Sequence, residues 1–112
     1  MKKVYLSGPI SGYDLAERRN TFNRAAHFLC SQGYQPVTPF DNGLDPSADY
    51  SDHMRADLRL ILYCDAILLL PNWHMSEGAQ LEHEVARTCR LEILRLHVII
   101  NEETEEFQIL TK

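Results

Sequence analysis

The stretch Asp65-Ala66-Ile67-Leu68-Leu69-Leu70-Pro71 decides the fold. Its five consecutive apolar residues leave no polar face, which is typical of a parallel strand that helices cover on both sides. The run is far shorter than the ~20 apolar residues that a membrane-spanning helix needs. We therefore predict that 65–70 forms the central strand of an α/β sheet.

Short apolar segments alternate with longer amphipathic ones on both sides of this strand. Further strands are predicted over 3–7, 34–38 and 93–100, with a short closing segment over 107–110. Helices are predicted from 13 or 14 to 31, from 51 or 52 to 64 and from 76 to 90. With right-handed crossovers, the order β-α-β-α-β-α-β predicts a three-layer α/β sandwich whose sheet has four to five parallel strands.

Composition limits the kind of protein. The 112 residues, with 45% apolar content, fit one domain over 1–112. Lys and Arg number 11 and Asp and Glu 16, a net charge of −5, which argues against a protein that coats nucleic acid. Three widely spaced cysteines without a CxxC pair favour reduced, buried thiols. With no apolar stretch long enough for a signal or a membrane span, we expect a cytoplasmic protein without a membrane partner.

Three loops are predicted to meet in the crevice at the carboxyl ends of the strands, where such sheets bind ligands. They cover 7–12, 39–50 and 71–76. The first follows Tyr5 and reads Ser7-Gly8-Pro9-Ile10-Ser11-Gly12. Its backbone N–H groups could hold an anion or a sugar. A tight turn between strand and helix is an equally good interpretation of this loop.

Glu82 is the first candidate catalytic residue. Ser76 is suited to cap the helix, Gly78 leaves room at its start, and Glu82 lies four residues further on the same face. Val85 and Cys89 continue that face as an apolar stripe, where a carboxylate is costly unless it is paired or used. A boundary residue bonded to an Arg or a Tyr is an equally good interpretation.

Asp57 is the second candidate, on the preceding predicted helix beside Met54 and Leu58. Together with Glu82 it would give the two carboxyl groups that glycosidic acid–base chemistry needs. Considered alone, Asp57 fits better as an exposed helical residue.

Trp73 and Tyr50 lie in predicted mouth loops, where an aromatic ring can stack on a planar base. The histidines have no metal-ligand spacing, so we expect neither a metal nor another cofactor.

Together, these residues resemble the nucleoside 2-deoxyribosyltransferase superfamily, and within it a branch of small phage- or prophage-borne proteins of unsettled function. The resemblance runs from Tyr5 to about Ile100. It is carried by Val4-Tyr5-Leu6-Ser7-Gly8-Pro9, by Met54-Arg55-Ala56-Asp57-Leu58 and by Ser76-Glu77-Gly78-Ala79-Gln80-Leu81-Glu82.

The resemblance implies a flavodoxin- or Rossmann-like fold and cleavage or transfer at the N-glycosidic bond of a 2′-deoxynucleoside or its 5′-monophosphate. It implies that Glu82 is the nucleophile, that Asp57 is the acid for the leaving base, and that Tyr5 orients Glu82. Gly8 and Ile10 match a loop that lies against the sugar and the base of the substrate. Ser76 and Gly78 match a helix start that receives the 5′ group. It also implies a homodimer or larger assembly with a shared site.

One departure concerns phosphate. Relatives that hydrolyse monophosphates carry Ser and Arg in the first loop, where this chain has Pro9 and Ser11. Arg18, Arg19 or a neighbouring subunit would have to substitute. Two other functions stay open: a nucleotide-binding module without catalysis, and a glycohydrolase acting on NAD.

Overall fold

The computed structural model describes residues 1–111 and confirms the predicted α/β class. The strands within this range are β1 (Lys3–Ser7), β2 (Gln35–Val37), β3 (Ala66–Leu69), β4 (Glu92–Ile100) and β5 (Glu105–Thr111). The α-helices are α1 (Leu15–Ser31), α2 (Tyr50–Leu62) and α3 (Glu77–Thr88). Short 3-10 helices cover Pro39–Asp41 and Trp73–Met75.

The sheet has the order β2-β1-β3-β4-β5. The four strands from β2 to β4 are parallel, and β3 lies at the centre as the sequence predicts. The closing segment forms a full strand, β5, that is antiparallel to β4. A tight turn joins the two, with Asn101 N–H donating to the Thr104 carbonyl oxygen at 2.8 Å. Such a turn permits only antiparallel pairing, because a parallel neighbour needs a long crossover.

The sheet has an apolar core on each face. On one face, Val4 and Leu6 pack with Phe22 and Leu29 of α1. On the other, Tyr5 packs with side chains of α2 and α3. Side chains alternate between the two faces of a strand, so Tyr5 and Ser7 of β1 both point towards α2 and α3. This alternation positions the site described below.

The helix starts follow their capping residues, with one exception. Asp14 accepts a hydrogen bond from Glu17 N–H at the start of α1, as predicted. The second helix was expected to be capped by Ser51 or Asp52, but the capping position of α2 is Asp49, whose side chain makes no capping bond. The expected cap is therefore late by two or three residues.

The cysteines differ from the expectation of three buried thiols. All three are free, and Cys64 is buried, but Cys30 and Cys89 are exposed. Cys89 lies directly after the end of α3 at Thr88 and is the C-terminal cap of that helix.

No helix within residues 1–111 combines the length and apolar character that a membrane crossing requires.

Candidate active site

Glu82 projects from the buried face of α3. Ser76 caps this helix as predicted, its Oγ accepting a hydrogen bond from Ala79 N–H at 3.2 Å. From there Ala79, Glu82 and Ala86 recur at spacings of three and four and are buried against the sheet. Only 4% of Glu82 is exposed, so its carboxyl group needs partners to be stable there.

Two hydroxyl groups of β1 supply those partners. Tyr5 Oη donates to Glu82 Oε2 at 2.8 Å, and Ser7 Oγ donates to Oε1 at 2.7 Å. Each carboxylate oxygen therefore receives one hydrogen bond from β1. The pair of bonds fixes the plane of the carboxylate and leaves each oxygen a further lone pair.

Burial dominates the electrostatics of this group. It raises the pKa of Glu82 to about 8, the hydrogen bond from Ser7 lowers that pKa, the negative charge of Asp57 raises it, and the bond from Tyr5 lowers it. Burial also raises the pKa of Tyr5 well above its usual range, and the neighbouring Glu82 adds to this rise. The phenol therefore keeps its proton and acts as a donor to Glu82.

Asp57 lies on the buried side of α2 and is 6% exposed, so it is not the exposed helical residue that its position alone suggested. Burial raises the pKa of Asp57 to about 6, a hydrogen bond from Asn42 lowers that pKa, and a positive charge on His53 would lower it further. A carboxyl group of this kind can hold a proton close to neutral pH, which suits general acid catalysis.

Asp57 and Glu82 line one cavity of about 430 Å³ at the carboxyl ends of β1 and β2. This volume lies in the range of small-molecule sites, about 300–1,000 Å³. Four of the residues expected to contact substrate also line it: Gly8, Ile10, Ser76 and Gly78. Ser7 is fully buried and meets the site through its bond to Glu82.

Two of the expected contact residues lie elsewhere. Pro9 is absent from the cavity wall, and its carbonyl oxygen accepts a 2.6 Å hydrogen bond from Arg18 Nε. Trp73 is also absent from the wall, because its ring packs against His83 with centroids 4.7 Å apart. The wall carries the aromatic rings of Tyr50 and Phe40 instead.

Gly78 has a packing role at the wall. A Cβ atom at this position would lie 3.1 Å from Tyr50 Oη and 3.3 Å from Met54 Sδ. The missing side chain therefore allows the start of α3 to approach the start of α2. The space at Gly78 is therefore occupied by residues of α2.

The loop after β2 contributes wall residues that the sequence did not single out. The amide Nδ2 of Asn42 donates to Asp57 Oδ1 at 2.9 Å. In the sequence this asparagine indicates only a turn within an unusually long loop. His53, which has no metal-ligand spacing in the sequence, lies 3.0 Å from the same Asn42 amide. Within residues 1–111, no three His, Cys, Asp or Glu side chains gather as a metal site would require.

Arg19 of α1 also lines the cavity, whereas Arg18 is held by the Pro9 carbonyl. Among the described wall residues, Arg19 is the only one with a permanent positive charge. Its guanidinium carbon lies 4.7 Å from the centroid of the Phe40 ring, a cation–π contact. Stacking of this kind leaves the N–H edges of the guanidinium available to an anion.

Solved structures of other proteins share this fold. A 2-desoxiribosyltransferase from Leishmania mexicana aligns with a TM-score of 0.65 at 19% identity, over 85% of this chain and 63% of that one. A conserved protein from Enterococcus faecalis V583 aligns with a TM-score of 0.64 at 21% identity, over 85% of this chain and 62% of that one. A 2-deoxyribosyltransferase from Bacillus psychrosaccharolyticus aligns with a TM-score of 0.64 at 17% identity, over 83% of this chain and 70% of that one.

At these identities the likeness shows the fold, and the chain spans less than two thirds of the length of the first two proteins. No curated protein matches the sequence at a significant level. A family model described as "Domain of unknown function (DUF4406)" matches residues 2–95, and the chain therefore belongs to the DUF4406 family.

Proposed function

We propose that the protein acts on the N-glycosidic bond of a 2′-deoxynucleoside or its 5′-monophosphate, by cleavage or by deoxyribosyl transfer, with Glu82 as nucleophile. The observation that carries this proposal is the buried Glu82 carboxyl group, held by Tyr5 and Ser7, in one cavity with Asp57. Two carboxyl groups in one small-molecule cavity are what retaining glycosidic chemistry requires.

The first step forms a glycosyl ester. An oxygen of the Glu82 carboxylate bonds to the anomeric carbon while the bond from that carbon to the base nitrogen breaks. The bonding electrons go to the base, which takes the proton of Asp57 and leaves as a neutral molecule.

The second step restores the enzyme. A water molecule, or the nitrogen of a second base, bonds to the anomeric carbon and loses a proton to the Asp57 carboxylate. The ester bond breaks and its electrons return to Glu82 as a carboxylate. Water gives hydrolysis, and a second base gives transfer.

The productive form of the site carries one proton on the two carboxyl groups. Glu82 must be ionised to attack, and Asp57 must be protonated to release the base. With a pKa of about 8 for Glu82 and about 6 for Asp57, the groups titrate as a pair, and the singly protonated pair predominates between these values. In the resting site that proton lies mainly on Glu82, so the reactive arrangement is the minor one, in which the proton has moved to Asp57.

The comparisons support the class of substrate. Two of the proteins that share the fold are described as 2-deoxyribosyltransferases. Arg19 supports the monophosphate as a substrate, because a guanidinium group on the cavity wall can bind a phosphate through two N–H groups.

We also propose that a second copy of the chain covers the mouth of the cavity in a homodimer or larger assembly. Tyr50 on the wall is 55% exposed, and Met75, next to the wall residue Ser76, is 70% exposed. Light scattering after size-exclusion chromatography would give the mass of the assembly. A monomer at all concentrations would exclude a shared site.

The test is release of free base from a panel of deoxynucleosides, their 5′-monophosphates and NAD, followed by chromatography. We expect base from the deoxy compounds with wild type and none with Glu82→Gln. Glu84→Gln is the matched control, since Glu84 is exposed on the same helix and paired with Arg87. Full activity of Glu82→Gln would refute the nucleophile, and turnover of NAD alone would refute the substrate class.

A further inference from the structure

We propose that Asn42 is a positioning residue, which holds Asp57 so that its acidic proton is carried on Oδ2, and that the neutral ring of His53 fixes the Asn42 amide. The inference rests on the proposed function, because the orientation of Asp57 matters only if Asp57 delivers a proton. The observation behind it is a chain of hydrogen bonds that links the loop after β2 to α2.

The Asn42 amide has one orientation that satisfies all of its neighbours. Its Oδ1 accepts a hydrogen bond from Leu44 N–H at 2.9 Å. Its Nδ2 lies 2.9 Å from Asp57 Oδ1 and 3.0 Å from His53 Nδ1. A flipped amide would set its NH₂ group against the Leu44 N–H and its oxygen against the Asp57 carboxylate. The Leu44 N–H therefore directs the two amide hydrogens towards Asp57 and His53.

The same bonds assign the tautomer of His53. Its Nδ1 faces the NH₂ group of Asn42, so this nitrogen must accept and carries no hydrogen. The ring hydrogen then lies on Nε2, which is 3.0 Å from the carbonyl oxygen of Asp45. Every donor in the chain meets an acceptor in this arrangement. The ring of His53 thus joins Asn42 to a second point in the loop.

Local structure brings Asn42 to this position. Thr38 and Asp41 form a reciprocal capping box around the 3-10 helix Pro39–Asp41, with Thr38 N–H donating to Asp41 Oδ2 at 3.1 Å. Asn42 follows directly as the C-terminal cap of this helix. The path from β2 to Asn42 is therefore fixed by hydrogen bonds before the amide reaches α2.

The consequence for Asp57 is a distinction between its two oxygens. Oδ1 accepts the Asn42 amide, so the proton of the neutral acid belongs on Oδ2. No hydrogen bond to Oδ2 is formed within residues 1–111, and these residues contain no buried side-chain oxygen that lacks a partner. Oδ2 must therefore reach open space, and Asp57 lines the cavity. This oxygen is the one that can meet a leaving base.

The test compares Asn42→Ala with wild type and with Asn23→Ala, an exposed asparagine on α1 as the matched control. We expect the kcat of Asn42→Ala to fall about tenfold or more, with KM changed less, because the variant loses one hydrogen bond to the negative charge that develops on Asp57 as its proton leaves. The acid limb of its pH–rate profile should move to higher pH, because the bond that lowers the pKa of Asp57 is gone.

His53 gives a second pair of variants that leaves Asn42 in place, in case Asn42→Ala does not fold. His53→Ala should lower kcat and move the acid limb of the pH–rate profile to higher pH, as Asn42→Ala does. His53→Gln should restore part of kcat and part of the shift of the acid limb, since its side-chain oxygen can accept a hydrogen bond from the Asn42 amide. An unchanged kcat, or a lower kcat with an unmoved acid limb, would overturn the positioning role.

A direct titration separates failure of this inference from failure of the proposed function. Absence of base release by wild type would refute the function alone. Carboxyl-carbon NMR of labelled Asp57 would still report on Asn42 in that case. A higher pKa of Asp57 in Asn42→Ala than in wild type would support the contact, and an equal pKa would overturn it.

Discussion

Tyr5 Oη and Glu82 Oε2 lie 2.8 Å apart and join the first strand to the third helix across 77 residues of chain. The bond is buried, and it sets the direction in which the carboxyl group faces the cavity. It also ties the geometry of the proposed nucleophile to the most buried strand pair of the sheet, since Tyr5 is in register with Ile67 of β3.

Tyr5→Phe tests this bond with little change in packing. We expect kcat/KM to fall about 10- to 100-fold, because a hydrogen bond to a charged group contributes ~1.5–3 kcal/mol. The variant should also titrate Glu82 at higher pH, since the bond from Tyr5 lowers its pKa. Steady-state base release would measure the first effect. Tyr63→Phe, at an 81% exposed position, is the control, and equal kcat/KM in the two variants would refute the orienting role.

The pH dependence of kcat/KM should be bell-shaped. Burial raises the pKa of Asp57 to about 6 and that of Glu82 to about 8, and activity needs one proton on the pair. The rate should therefore rise through pH 6, reach a maximum near 7 and fall through pH 8. Initial rates from pH 4.5 to 9.5 would test this. A rate that stays flat from pH 5 to 9 would contradict a carboxyl pair.

Stability should depend on pH through the same two groups. Their pKa values in the folded protein lie above the unfolded values of about 3.9 and 4.3, so the folded state binds more protons in between. The free energy of unfolding should be highest near pH 4 on this account. It should decrease by a few kcal/mol, in order of magnitude, as pH rises through the folded pKa values.

Glu82→Gln isolates the larger of these contributions. Its side chain cannot ionise, so its stability relative to wild type should increase from pH 4.5 to 8. Denaturant unfolding at several pH values would show this difference. Equal pH dependence of the two proteins would mean that Glu82 titrates normally.

Arg19→Gln tests the proposed phosphate contact. We expect kcat/KM for a deoxynucleoside 5′-monophosphate to fall about tenfold or more relative to that for the matching deoxynucleoside, because a charge-assisted hydrogen bond is lost. Arg55→Gln is the control, as Arg55 is exposed on α2 and absent from the cavity wall. The same loss with both substrates would show that Arg19 does not distinguish the phosphate.

Much of the fold could be predicted because its signals are local. The all-apolar run of β3 and the capping residues Asp14 and Ser76 each act within a few residues of the element they define. The orientation of β5 was harder. Its alternating pattern indicates which residues are half-buried, while its direction follows from the short turn at Asn101 and from pairing with β4.

The candidate site likewise contains residues that have a local signal in the sequence and residues that have none. Glu82 stands out in the sequence because a carboxylate on an apolar stripe is unusual. The role of Tyr5 was implied only by the family resemblance, and the alternation of β1 explains why Ser7 lies on the same face as Tyr5. Asn42 carries no such signal, since its role depends on where a loop meets α2. Trp73 shows the opposite case. It lies in a loop that was predicted to reach the site, yet its ring turns to His83.

The proposed mechanism requires that Glu82 forms a covalent bond with the sugar. The most direct measurement is mass spectrometry of the acid-quenched protein after incubation with a 2′-fluorinated nucleoside analogue, whose electron-withdrawing fluorine slows loss of the sugar ester. We expect the added mass of one fluorosugar on the peptide that contains Glu82, in wild type and in Glu84→Gln but not in Glu82→Gln. Base release by wild type with no sugar on that peptide, or an adduct that persists in Glu82→Gln, would contradict it.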